Sequence, residues 1–132
     1  MSMRFRQLFA ALCGAAALVL AGCPPQDIGP TGTTCPPEGT QLTAANFGMP
    51  FFTNYCTRCH SSQLSGPFKR HGAPDDYNFD TYEGVKKHAE EIDNWSGAGP
   101  QNVNTEMPHG NPAPSEDERR QLSVWLACGA PQ

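Results

Sequence analysis

No strand-length run of alternating apolar and polar residues stands out in this chain of 132 residues, which argues against a sheet-based fold. No internal repeat is present, so solenoids and propellers are excluded. The longest apolar run, residues 8–20, is shorter than the ~20 residues of a comfortable membrane-spanning helix. Charge is sparse at 17% of residues, with a net charge of −4 and no basic stripe, which excludes a nucleic-acid binder. Proline and glycine are abundant instead, 13 of each, pointing to short helices joined by long loops. Residues 41–132 read as one small domain, and a chain of that size buries only a modest fraction of its surface.

Against this background one pentapeptide carries chemistry: Cys56-Thr57-Arg58-Cys59-His60. C-x-x-C-H is the attachment signature for c-type haem. Two thiols separated by two residues reach one porphyrin edge and add across its vinyl groups, and the adjacent imidazole ligates the iron. The competing readings are a disulfide, a zinc half-site and a thioredoxin-like redox pair. A zinc site needs a second C-x-x-C or an H-x-x-x-H, and neither is present. A thioredoxin-like pair needs a βαβ context, which the flanking pattern lacks. A large, rigid apolar cofactor would also supply much of the core that so short a chain is missing.

The N-terminus is consistent with export. Arg4 and Arg6 form a basic start, residues 8–20 an apolar run, and Ala21-Gly22 a small pair before Cys23, together describing a secretory signal peptide. Leu20-Ala21-Gly22-Cys23 resembles a bacterial lipobox, which implies cleavage before Cys23, lipidation of its thiol and loss of Cys13 with the signal. The alternative is ordinary cleavage with Cys23 left free. Two acyl chains, at ~0.8 kcal/mol per buried methylene, would hold the protein stably on a membrane. Removing Arg4 and Arg6 leaves 7 basic against 13 acidic residues, a mature charge of −6.

Residues 23–40 are rich in Pro, Gly and Thr and read as a linker from the lipid to the domain. The seventeen residues 24–40 would reach ~50 Å as extended polyproline, or ~20–25 Å as a flexible coil. Cys35 lies within this stretch and Cys128 near the end of the chain. With Cys56 and Cys59 assigned to haem and Cys23 to lipid, these two remain, and an oxidising compartment makes their disulfide the default. Bridging them would close 93 residues, contributing up to ~4–5 kcal/mol in the chain-entropy picture.

Three helices are expected. The first covers residues 43–55, where Phe47, Phe51, Phe52 and Tyr55 form an apolar stripe; Pro50 places its regular part from about Met49. The second covers residues 81–92, with Asp80 and Glu83 at capping-box spacing. The third begins at Ser115, which forms a capping box with Glu118. It presents Leu122, Trp125 and Leu126 on one face and stops at Gly129.

The domain resembles the class I monohaem cytochromes c over residues 43–131. The resemblance is carried by the haem motif, by Gly48-x-x-x-Phe52 four residues ahead of Cys56, by Leu122-x-x-Trp125 in the last helix, and by Met107-Pro108 before that helix. It implies an all-α fold, three or more short helices wrapped around one covalent haem c with long loops. It also implies His60 and Met107 as axial ligands and a last helix whose Trp125 crosses Gly48. Gly66-Pro67 matches the family's turn after the motif, implying that the Pro67 carbonyl receives the second ring N–H of His60.

His109 is the rival sixth ligand, whereas His71 and His88 read as surface histidines. Trp95 or Tyr82 would bond a propionate, or merely pack on the ring. The lysine-dense face of mitochondrial-type members is absent. Lys69-Arg70 and Lys86-Lys87 are local basic pairs and read as solvated surface.

The expected function is a non-enzymatic, one-electron carrier exported to the periplasmic or cell-surface side. It would be lipid-anchored at Cys23 and serve protein redox donors and acceptors as a monomer or a subunit of a redox complex. The alternatives are a haem sensor or peroxidase-like enzyme with an open sixth site, and a haem-bearing docking subunit of a dehydrogenase.

Overall fold

A computed structural model describes residues 28–132; the expectations for the signal segment and for Cys23 lie outside them. Among the described residues the fold is helical with no strand, the one β contact being an isolated bridge between Ala98 and Val103. The helices are α1 (Met49–Tyr55), α2 (Gly66–Lys69), α3 (Tyr82–Lys87), α4 (Ala89–Ser96) and α5 (Glu116–Ala127). None of the described helices is long and apolar enough to cross a membrane.

The entry to α1 shows how Pro50 is accommodated. Thr43 caps the start reciprocally with Asn46, and residues Ala44–Gly48 form a widened π turn. That turn bonds the Gly48 N–H to the Thr43 carbonyl and hands over to α1 with Pro50 in its first turn, where no N–H is required. Helix α5 begins with the reciprocal Ser115–Glu118 cap and ends before Gly129, whose φ of +81° closes it.

Three expectations for the middle of the chain need correction. The cap of α3 is Thr81, which accepts the Gly84 N–H, and not Asp80, whose carboxylate is engaged by Ser61 and Ser62. The single helix expected over residues 81–92 is two. His88, at φ −111° and ψ 24°, ends α3 and starts α4, which continues to Ser96. The break turns His88 inward, so it is buried and stacked on Tyr77 at 3.9 Å rather than solvated.

The core is built from Phe51, Phe52, Phe79, Val85, Ile92, Leu122, Trp125 and Leu126. Helices α1 and α5 approach closely at Gly48. A Cβ placed there would lie 2.5 Å from the Trp125 ring, so only glycine lets this fully buried indole seat on the helix backbone. The indole N–H is satisfied by the Pro131 carbonyl.

The stretch read as linker is docked from Gly29 onward. Cys35 and Cys128 are joined, with Cα atoms 4.7 Å apart. Thr31 is fully buried, and its hydroxyl and N–H donate to the Asp93 carboxylate, which also accepts from Ser123. Composition misled here because it registers only apolar burial, whereas this segment docks through hydrogen bonds and a disulfide.

Candidate haem cleft

One cleft of about 650 Å³ opens beside the C-x-x-C-H motif. Cys56, Cys59 and His60 line it, as do Met107 and His109, with Phe52, Tyr55, Phe79, Ile92 and Trp95 supplying apolar walls. Cys56 caps the C-terminus of α1, and the motif turns over on itself through bonds from the Cys59 and His60 N–H groups to the Cys56 carbonyl. Both thiols are free. Burial pushes the Cys56 thiol up to about 12 despite the opposing pull of Arg58 and Arg119, so the unmodified thiol is protonated.

His60 stacks on Phe79, ring centres 4.7 Å apart. Burial pulls its pKa below the ordinary histidine value, keeping it a neutral donor, while the Tyr77 carbonyl pushes the other way. That carbonyl lies outside hydrogen-bond geometry, because the buried Nδ1 has no partner at all. Pro67, in contrast, is exposed, does not line the cleft, and its carbonyl takes the Gly72 N–H. The Pro67 carbonyl therefore does not receive a ring N–H of His60.

The turn following the motif is tied down by Asp80. Its carboxylate accepts the Ser62 N–H at 2.9 Å and the hydroxyls of Ser62 and Ser61 at 2.7 and 3.1 Å. Partial burial raises its pKa, but these bonds outweigh that and hold it below the usual carboxylate range. Its contribution to stability is thus present above the unfolded carboxylate value near pH 4 and lost as pH falls through the lower folded value. Asp80→Asn should cost about 1 kcal/mol at neutral pH and flatten the acid limb of stability. Urea unfolding at pH 7 and pH 3 checks this; an unchanged pH dependence would count against the carboxylate's role.

Met107 sits half-buried in the loop between α4 and α5, with its peptide bond to Pro108 cis. Its N–H bonds the Trp95 carbonyl at 3.0 Å. Its own carbonyl accepts from Arg119 Nη1 at 2.7 Å. Trp95 lines the cleft and is 41% exposed. Tyr82 is placed elsewhere, its hydroxyl donating to the Ala130 carbonyl. His109 is exposed, and its carbonyl is held by Arg58 at 2.6 Å. His71 also lines the cleft, exposed, at φ +51°.

Three arginines organise the cleft, and the sequence reading missed all of them as site residues. Arg58, between the two haem-motif cysteines, reaches the carbonyls of His109 and Asn111 and so links the motif to the Met107 loop. Arg119 is 3% exposed and gives Nη1 to the carbonyls of Ser96, Asn104 and Met107. Arg70, read as solvated surface, is 1% exposed. It donates to the Ser61, Pro74 and Tyr77 carbonyls and to the Asn78 side chain, gathering the loop beside His60. A planar fork of five donors can satisfy several convergent carbonyls at once, which lysine cannot. No spacing rule signals such a role, because the acceptors are main-chain atoms scattered along the chain.

Among the described residues no three His, Cys, Asp or Glu side chains converge as a metal cage; the thiols and His60 line a cleft instead. That arrangement fits a c-type haem. Two free thiols from one motif and a neutral imidazole with a buried unpartnered nitrogen share an apolar cleft with a thioether. No family model, curated protein or solved structure matches the chain.

Proposed function

We propose that this protein is an exported, lipid-anchored electron carrier of the class I cytochrome c type, holding one covalent haem c. The observation that carries the proposal is the convergence of Cys56, Cys59, His60 and Met107 on a single apolar cleft. The haem, when bound, would supply one-electron cycling of its iron.

The residues of the chain would do the rest. Cys56 and Cys59 would hold the haem covalently, and His60 and Met107 would ligate its iron. Phe52, Phe79 and Ile92 would keep water from the ring. The buried charges of Arg70 and Arg119 stand beside this apolar space, where positive charge favours the reduced over the oxidised state. A His/Met pair acts in the same direction on the potential. The reading needs no catalytic acid or base, and its partners are redox proteins that donate and accept the electron. If Cys23 carries lipid, docking from Gly29 leaves at most five residues, 24–28, between anchor and domain, rather than the seventeen expected from composition.

The test is ligand exclusion. Wild-type ferrous protein should bind carbon monoxide slowly or not at all, since both axial positions would be filled from the chain. Met107→Ala should bind it readily and show a lowered potential, while His109→Ala should change little. Rapid binding by wild type, or peroxide turnover, would favour the sensor or enzyme alternative. A large effect confined to His109→Ala would keep the family and exchange the ligand.

A further inference from the structure

The docked segment 29–35 leads to a residue that the haem reading does not use. Asn104 is 2% exposed and lies three positions before Met107. Its side chain faces the segment from one side and α4 from the other. Nδ2 donates to the Gly29 carbonyl at 2.8 Å and to the Asp93 carbonyl at 3.0 Å, and Oδ1 accepts the Gly29 N–H at 3.4 Å. Its backbone is also taken, the N–H by the Gly97 carbonyl and the carbonyl by Arg119. The same Arg119 nitrogen holds the Met107 carbonyl. The start of the Met107 loop is therefore fixed by a side chain that pairs with the N-terminal segment.

That segment is itself fixed at several points. Thr31 is bound to the Asp93 carboxylate, and its carbonyl accepts the Gln101 N–H at 2.9 Å. The Thr33 hydroxyl reaches the Ala98 carbonyl. Gly99 accommodates the crossing, since a Cβ there would lie 2.5 Å from the Thr31 carbonyl oxygen and 2.3 Å from the Thr33 hydroxyl. The disulfide of Cys35 with Cys128 closes the far end onto the terminus of α5. Segment, disulfide, Asp93 and Asn104 thus form one continuous set of contacts ending at the Met107 loop.

We propose that Asn104 is a positioning residue for Met107, and that residues 29–35 are a disulfide-fixed strap that holds Asn104 and so keeps the thioether in the cleft. The proposal rests on the haem reading for the role of Met107. The coupling of strap to loop stands on the contacts alone.

The holoprotein is compared with Asn104→Ala, Gly99→Ala and the double variant Cys35→Ser/Cys128→Ser. Val85→Ala, a core truncation at a fully buried site, serves as a control for general loosening. Amide hydrogen exchange at Met107 should quicken at least tenfold in the strap variants and not in the control. Carbon monoxide association with the ferrous protein should quicken by a similar factor, and on a Met107→Ala background Asn104→Ala should add nothing. Unchanged exchange at Met107 would overturn the strap. Faster exchange with unchanged carbon monoxide binding in haem-bearing protein would overturn the positioning role. If the disulfide variant fails to fold, Gly99→Ala and Asn104→Ala decide. A wild-type protein without haem would sink the functional reading and the ligand role with it, and exchange would still decide whether strap and loop are coupled.

Discussion

His60→Ala is expected to leave the chain without a normally matured haem, and Cys56→Ala or Cys59→Ala with a weakened attachment. The wild-type protein should keep its haem through acid–organic extraction, because thioether bonds survive what axial ligation does not. The expectation follows from geometry as well as from the motif. His60 is kept neutral by burial, is stacked against Phe79 and has a buried nitrogen with no partner. Cys56 is buried in the same cleft. Mass spectrometry of the purified chain, with the absorbance spectrum of its oxidised and reduced forms, reads the result directly. A folded native protein that never carries haem would end the proposal.

The second large effect concerns Arg119→Ala. Its guanidinium lies in the interior, 3% exposed, and Nη1 contacts the Ser96, Asn104 and Met107 carbonyls within 2.7–2.9 Å. Burial lowers its pKa from the usual arginine value, and arginine keeps its charge inside proteins. Truncation leaves two buried acceptors and one part-buried acceptor unpaired, and each buried group so left costs about 1–3 kcal/mol. Because the groups share water that enters the gap, the total should be on the order of 3–5 kcal/mol. The midpoint of urea unfolding should fall accordingly, with the slope unchanged. The same variant should free the Met107 loop, whereas Arg120→Ala, at an exposed site paired only with Glu116 one turn away, should change stability by less than about 0.5 kcal/mol. Equal effects at the two positions would remove the structural role assigned to Arg119.

Legibility from sequence followed the range of the interactions. The caps of α5 were legible because Ser115 and Glu118 meet across three residues. The Cys35–Cys128 disulfide was legible by elimination among few cysteines. The helix over residues 81–92 was half legible. Its extent from Thr81 to Ile92 was visible, but the break at His88 was not, because Tyr77 stacks on that imidazole from a different loop. Likewise Asp80 has the local spacing of a cap, and Ser61 and Ser62, nearly twenty residues earlier, claim its carboxylate first.

By itself, then, the sequence determined the helical class, the Ser115–Glu118 cap, the pairing of two cysteines and the gathering of chemistry at residues 56–60. Each of these depends on neighbours within about one helical turn or on simple residue counting. Tertiary structure alone decided that Thr31 is buried, that the Pro/Gly/Thr segment is docked rather than free, and that Arg58, Arg70 and Arg119 gather main-chain carbonyls around one cleft. The physical reason is common to all three. Backbone carbonyls are present at every residue and leave no mark on composition, so which of them a buried hydroxyl or guanidinium meets is set only when distant segments pack.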